Sequence, residues 1–535
     1  MSRRVLLPIV VGLCLTLSAR GQTGGETAAQ TPVTGAAPSG AAAASTADLL
    51  HAAAEDYRKG KLDAAEEAYQ RVLKEEPKSA GAYAGLVRVY LQEDKVREAE
   101  EAVSKAAELN PDNSLVWAAR GEVYFREGKM PEAEKEFVRA VKRNPTSARP
   151  RLGLARLYRS ESLYHRAKTM MDMAYQLDPE DPDIFEFWLE TVGRAEKIKA
   201  IEARLAGGAI ENDQARKDWQ TYLEELKAEE ARPRHGCRLA NKLTSTEIPM
   251  EPLLMDPNHM RGIGLALTVN GEKVRLMLDT GASGILINRR IAERAGITKA
   301  FASKISGIGD KGERDSYFGY ANSIKIGNLE FQGCHVEVLE KRSVLGDDGL
   351  IGADFFEDFL VDLSFPERKL KLTELPKRPN ETRNGTEDEP QDRYVAPEMQ
   401  SYARIFRFDH DLLVPTSVND TTWRLFLLDT GSLANQISPE AAREITKVHD
   451  DPDMTVQGLS GYVKKVYSAD KVMLQFGHLR QQNEDIISID LSSVSRNTGT
   501  EVSGILGFVM LHFLDIKIDY RDGLVDFEYD KDKRN

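Results

Sequence analysis

The chain has 535 residues, enough for three or four domains at about 150 residues each. A hydrophobic share of 41% and a formal charge of −13 (72 Lys and Arg against 85 Asp and Glu) fit ordinary globular protein and exclude a polytopic membrane protein and a basic nucleic-acid binder. The three cysteines, Cys14, Cys237 and Cys334, are too few for a disulfide scaffold and wrongly spaced for a zinc site. The nine histidines carry no HExxH motif, so no metal site is expected.

Arg3 and Arg4 precede an apolar run over residues 5–17, and Ala19-Arg20-Gly21 supplies a small-x-small cleavage pattern. Residues 1–21 read as a Sec-type signal peptide, because 13 apolar residues fall short of the roughly 20 that span a bilayer. The expected product is exported, periplasmic or secreted, without stable membrane insertion; a retained signal anchor is the alternative. Removal of the signal takes Cys14 with it and leaves Cys237 and Cys334, either bridged or as two free thiols. Residues 22–45, rich in Ala, Gly, Thr and Pro without periodicity, read as a flexible tether.

Pro77, Pro111, Pro145 and Pro179 then recur every 34 residues, in step with Ala65, Ala99, Ala133 and Ala167 and with Tyr90, Tyr124 and Tyr158. Each proline ends a helix, because it has no amide hydrogen to continue one. The third unit carries Trp117, Gly121, Tyr124, Ala133, Phe137, Ala140 and Pro145, and this pattern resembles the tetratricopeptide repeat, a helix-turn-helix unit. Four units are visible as far as Pro179. Helical stretches near residues 184–206 and 212–231, the last read as a solvated cap, extend the array over residues 46–232. An α-helical solenoid of this kind offers a groove for a peptide or partner protein, or serves as a spacer or a packing partner for the C-terminal half of the chain.

From about Lys242 short strands and Gly-rich turns take over, and the abrupt change predicts an independent core from there to the C-terminus. Two segments repeat: Leu276-Met-Leu-Asp279-Thr280-Gly281-Ala282 and Phe426-Leu-Leu-Asp429-Thr430-Gly431-Ser432, with the aspartates 150 residues apart. Gly327 and Gly477, Gly307 and Gly458, and Gly352 and Gly507 stand in the same order at offsets of 150, 151 and 155. The arrangement is one lobe written twice, over residues 243–374 and 401–531, joined by a charged linker over 375–400. Asn380, Asn384 and Asn419 stand in N-x-T sequons.

An apolar strand running into Asp-Thr-Gly, a Gly-containing hairpin, then two apolar residues and Gly resembles the aspartic proteases. The lobe length is nearer the retropepsin-like members, while two lobes in one chain is the pepsin-like arrangement. The resemblance implies an all-β two-lobed fold after the all-α solenoid. It implies that Asp279 and Asp429 share a proton and activate a water, with no covalent intermediate, metal or other cofactor. It makes Thr280, Gly281, Ala282, Thr430, Gly431 and Ser432 the supporting loops, and Leu350-Ile351-Gly352 and Ile505-Leu506-Gly507 the apolar floor. Gly307, Gly309 and Gly312, with Gly458 and Gly461 in the second lobe, fall at the flaps. The GxGxxG match over 307–312 is no dinucleotide site, since no βαβ unit surrounds it. Tyr317, Phe318 and Tyr320 either line the cleft or pack within the hairpin. By the same resemblance the Ser432 hydroxyl donates to Asp429, making Asp429 the readier ionised member and Asp279 the proton holder. The implied function is an exported aspartic endopeptidase acting on extended polypeptide, with the array recruiting substrate or partner. A binding scaffold with non-catalytic lobes is the alternative, and pairing of the lobes within one chain or between chains stays open.

Overall fold

The computed structural model describes residues 45–207, 213–230, 237–241, 243–257, 259–341, 344–379 and 390–530. The expected signal peptide, nearly all of the tether, and the sequon residues Asn380 and Asn384 lie outside these. Among the described residues no helix is long and apolar enough to cross a membrane.

Ser45 opens the fold with a capping box, its hydroxyl accepting from the Asp48 amide while Asp48 reaches back. Four helix pairs come next: Thr46–Arg58 with Leu62–Glu75, Ala80–Gln92 with Val96–Leu109, Ser114–Arg126 with Met130–Arg143, and Arg149–Ser160 with Tyr164–Leu177. Each periodic proline stands two residues beyond the end of a second helix. Each periodic alanine is the fourth residue of a second helix and is buried, where a larger side chain would force the pair apart. The periodic tyrosines are half-buried between pairs; the Tyr90 and Tyr158 hydroxyls each donate, at 3.2 Å, to a glutamate 24 residues earlier, Glu66 and Glu134. Phe137 is wedged between successive repeats, its ring so close to Gly121 and Gly153 that an added Cβ there would stand 2.6 and 2.3 Å from it.

The helical stretch near 184–206 is two helices, Pro182–Leu189 and Arg194–Ala206, interrupted where Gly193 takes an extended N-cap conformation. The last helix, Asp213–Glu230, exposes Glu224, Lys227 and Glu230 but is not solvated all round. Its other face packs Trp219, Tyr222, Leu223 and Leu226 against the cluster of Phe185, Trp188, Ile198 and Ile201. The array curls until its first and fifth pairs touch. The Tyr57 hydroxyl donates to Asp183 at 2.8 Å, and Arg149 bridges Asp183, Asp181 and Glu122 in the same place.

The strand region is two copies of one frame. In the first, strand Glu272–Asp279 runs parallel to Gly349–Gly352 (Leu276 opposite Gly349, Asp279 opposite Gly352), and Ile285–Asn288 pairs antiparallel on the other side of Gly349–Gly352. In the second, Thr422–Leu428 runs parallel to Gly504–Leu506, which Gln436–Ile437 flanks antiparallel. Even the hairpin turns match. Asn270 and Asn419, both at positive φ, each accept a backbone amide, from Asn322 and from Met473.

One sheet joins the copies. Phe359–Ser364 pairs antiparallel with Asp515–Asp519, placing Val361 opposite Ile518. Lys369–Glu374 and Ser245–Asp256 extend this pair on one side, Leu524–Glu528 and Ala403–Arg404 on the other. The core is correspondingly shared, with Leu276, Val361, Phe426 and Ile518 in one buried cluster. Within this chain the two lobes pair with each other.

The array is not separate from this core, against the expectation of an independent second half. Met130 is buried in one cluster with Leu413, Leu425, Leu427 and Ile505 of the second lobe. Around it the Phe125 carbonyl accepts from the Thr500 hydroxyl (2.7 Å), the Arg126 carbonyl from the Glu501 amide (2.8 Å), and the Phe125 and Phe408 rings meet edge to face. Arg159 with Asp409, Arg166 with Asp392 and Arg496 with Asp94 complete the joint. At its far end the chain enters the first lobe through Arg238–Leu239, which pairs with Leu329–Leu339 and is held there by a Cys237–Cys334 disulfide.

Candidate active site

Asp279 ends strand Glu272–Asp279 and Asp429 directly follows strand Thr422–Leu428, each strand apolar toward its end because both of its faces are interior there. The threonines after them cross between lobes. Thr280 donates its hydroxyl to the Leu428 carbonyl (2.7 Å) and accepts the Thr430 amide (3.0 Å). Thr430 donates to the Leu278 carbonyl (3.0 Å) and accepts the Thr280 amide (3.1 Å). This buried, reciprocal set fixes one loop against the other, because no water competes for its members.

The glycines come next. Gly281 N–H donates to Asp279 Oδ1 (2.8 Å); Gly431 N–H and Ser432 N–H both donate to Asp429 Oδ1 (2.9 Å each). A Cβ on Gly281 would lie 2.8 Å from Asp429 Cγ, and one on Gly431 2.3 Å from Asp279 Oδ2, so each glycine abuts the opposite carboxyl. The two carboxyl groups stand within hydrogen-bonding reach of each other.

Burial pushes the Asp279 carboxyl well above the usual carboxylate range, and the charge of Asp429 pushes it further. Burial raises Asp429 as well, but Asp279 and the Ser432 and Gly431 amides all favour its ionised form. Asp279 is thus raised the further of the two. The Ser432 hydroxyl does not supply this asymmetry, contrary to the resemblance-based expectation. It donates to the Ala434 carbonyl (3.3 Å) and accepts from Gln436 Nε2 (2.9 Å), and only the Ser432 amide reaches Asp429. Ala282 occupies the equivalent place beside Asp279 without a hydroxyl.

Leu350, Ile351, Ile505 and Leu506 are buried directly beside the two strands. A Cβ on Gly352 would lie 2.3 Å from the Ala282 carbonyl, and one on Gly507 2.3 Å from the Ala434 carbonyl. Both glycines are thus close-approach positions at the same point of each copy.

Residues 306–313 form the tip of a hairpin between Phe301–Ile305 and Arg314–Ile326, and Gln457–Gly458 pairs with Gly461–Tyr462 in the second lobe. The two tips interlock. Gly307 N–H donates to Ser460 Oγ (3.1 Å), Ser460 N–H to the Ile308 carbonyl (3.0 Å), and Lys311 N–H to the Ser460 carbonyl (3.0 Å). Gly309, at φ +129°, would carry a Cβ 2.5 Å from the Gly461 carbonyl oxygen, and Gly458 one 2.3 Å from that of Ile308. Gly312, at φ +65°, has open space where a Cβ would stand. Tyr317 and Phe318 are buried within the hairpin, and Tyr320 meets the His335 ring edge to face.

One cavity of about 5130 Å³ contains the dyad, both hairpin tips and the inner side of the array, including Tyr57, Arg149 and Asp183. Among the described residues no cluster of His, Cys, Asp and Glu could hold a metal ion. Three site residues escaped the sequence. Asp354 accepts from the Ser283 hydroxyl (2.8 Å) and Gly284 amide (2.9 Å), bracing the first loop; the carboxyl directly after Leu350-Ile-Gly-Ala was the available signal. Asn435 accepts the Gly507 amide (2.8 Å) and braces the second. Asp411, its carboxyl raised by burial and eased by His410, faces Asp429. No spacing signals either of the last two.

Comparison with known proteins finds two classes of domain in this chain. Tetratricopeptide-repeat models match residues 57–123 and 118–182, and an aspartyl protease model matches residues 265–355. Residues 57–182 are tetratricopeptide repeats and residues 265–355 an aspartyl-protease domain. The aspartyl protease match takes in Asp279 and ends before Asp429. DNA damage-inducible protein 1 of Cryptococcus neoformans is 32% identical over 112 residues, covering 20% of this chain and 25% of that protein. The protein of the same name from Chaetomium globosum is 27% identical over 220 residues, covering 37% and 48%. UBA domain-containing protein Mud1 of Schizosaccharomyces pombe is 26% identical over 106 residues, covering 19% and 31%. The chain thus spans a quarter to a half of the curated relatives it matches.

Proposed function

We propose that the protein is an exported aspartic endopeptidase in which Asp279 and Asp429 act on a water held between them. The observation that carries this reading is the pair of buried carboxyls, one from each lobe, on loops locked by reciprocal threonine bonds. Asp429, served by two backbone amides, is the general base that takes a proton from the water. As the water oxygen bonds the scissile carbon, Asp279 donates its proton to the carbonyl oxygen. The C–N bond then breaks, the proton taken up by Asp429 passes to the leaving amine, and a hydroxyl of the tetrahedral intermediate returns a proton to Asp279. Substrate is an extended polypeptide bound strand-like beneath the hairpin tips. Export is supported by the signal-like residues 3–21 and by the Cys237–Cys334 bridge, since such bridges persist in oxidising compartments.

The array shares the cavity of the dyad, which supports a part in admitting or holding substrate and gives no support to an independent scaffold. Its own groove is crossed by the Tyr57, Arg149 and Asp183 contacts, so protein partners of the array are proposed for its outer surface. The test is digestion of a denatured protein across a pH series, with and without pepstatin. Pepstatin-sensitive cleavage with an acid-side optimum is expected; cleavage indifferent to pepstatin and to loss of either aspartate would refute the reading.

A further inference from the structure

The two loops differ at a matched pair of positions four residues apart. The second lobe has Ser432 and Gln436 where the first has Ala282 and Leu286. Gln436 is buried and its backbone is fixed on both sides, opposite Ile505 and beside Ile487. Its Nε2 donates to Ser432 Oγ (2.9 Å), whose own hydroxyl donates to the Ala434 carbonyl (3.3 Å). Its Oε1 is buried and has no hydrogen-bond partner among the described residues. An orphaned buried carbonyl costs stability, and leucine, which fits this place in the first lobe, would avoid that cost. The glutamine is therefore placed here for something other than packing.

The geometry points to Gln436 as a positioning residue that holds the Ser432 hydroxyl away from Asp429, leaving that carboxylate to the Gly431 and Ser432 amides and to Asp279. This rests on the proposed dyad, with Asp429 as its base. A serine hydroxyl released from Gln436 turns toward the neighbouring carboxylate and donates to it, which stabilises the ionised form and weakens the base. Gln436 thus keeps Asp429 basic enough to take a proton from water, while the Ser432 amide keeps it ionised. The charged groups facing Asp429 are Asp279 across the lobe interface and Asp411, with His410 behind it, from the preceding hairpin; substitutions at Gln436 and Ser432 leave all three in place.

The test is the pH–rate profile of the full chain on a peptide substrate, paired with an infrared titration of the carboxyls that needs no turnover. Gln436→Leu is expected to move the acidic limb down by about half a pH unit or more. Gln436→Met repeats the measurement with a flexible chain should the leucine variant fold poorly. Ser432→Ala alone is expected to leave the limb in place, and adding it to Gln436→Leu should restore the original position. A limb unmoved in both Gln436 variants, with rate alone reduced, would assign the glutamine a purely structural role and overturn the inference. A limb raised by Ser432→Ala alone would overturn it too, by making the hydroxyl a direct donor. A dyad that titrates as expected in a chain inert toward every peptide would refute the peptidase reading and leave this one standing.

Discussion

The two lobes share a frame down to the register of the strands beside each aspartate, yet each is braced differently. The first loop is held by a carboxylate, Asp354, and opens beside alanine; the second is held by an amide, Asn435, and its carboxylate receives two backbone hydrogens where the first receives one from its own loop. The second lobe also has the array built into its core, whereas the first meets the array's end through a two-residue strand and a disulfide. Under the proposed mechanism a duplicated scaffold supplies two identical chemical groups and gives them opposite tasks. The frame brings the carboxyls together, and the surroundings decide which of them holds the proton.

The largest test of that division removes one carboxyl at a time. Asp279→Asn and Asp429→Asn are each expected to cut peptide cleavage on the order of a thousandfold or more, with circular dichroism unchanged. Mixing the two dead variants should restore nothing, because the lobes pair within one chain; recovered activity would show exchange between chains.

The second test sets the array against the lobe it supports. Met130→Ala should cost about 2–5 kcal/mol in thermal or denaturant unfolding and reduce activity, since Leu427 and Ile505 share its pocket and lie beside Asp429. A chain beginning near residue 243 would uncover the side of Leu413, Leu425 and Leu427 that Met130 covers, and it is expected to aggregate. A soluble, active fragment would restore the idea of an independent core.

The third test concerns stability. In the folded chain Asp279 titrates well above its ordinary value of 3.8, so the folded state binds more protons than the unfolded one above that pH. Its contribution is therefore present below about pH 4 and lost as pH rises through the native pKa. Asp279→Asn removes this liability and should melt higher than wild type at neutral pH, the difference shrinking toward pH 4. Equal melting curves across that range would mean the carboxyl is not held against its preference.

The smallest effect is expected at the hairpin tips. Gly458→Ala puts a methyl against the Ile308 carbonyl and should raise KM several-fold with less change in kcat, because it loosens the cover more than the dyad. Gly312→Ala meets no neighbour and should show only the milder effect of its positive φ. Equal effects would argue that the interlock does not govern substrate binding.

Much of this architecture was legible because it repeats. Periods of 34 and 150 residues expose themselves in any sequence, and Asp-Thr-Gly with its distant Ile-Gly or Leu-Gly partner marks both ends of each loop. What did not show is what joins non-repeating parts. Met130 occupies an ordinary position at the start of a repeat helix, and nothing in its neighbours says that its pocket is built far downstream, from Leu413 onward. Ser432 fits its motif, but its hydroxyl goes to Ala434 and Gln436, a choice made by a strand that exists only after the lobe has folded. The final helix looked solvated because its apolar residues are few and spaced around charges.

The sheet that joins the lobes has a consequence for timing. Phe359–Ser364 must wait for Asp515–Asp519, far along the chain, and Leu524–Glu528 then closes the sheet close to the last described residue. Pairings between such distant segments form late, because the intervening chain must be synthesised and ordered first. A growing or broken chain can therefore contain both aspartates and still lack the frame that brings them together.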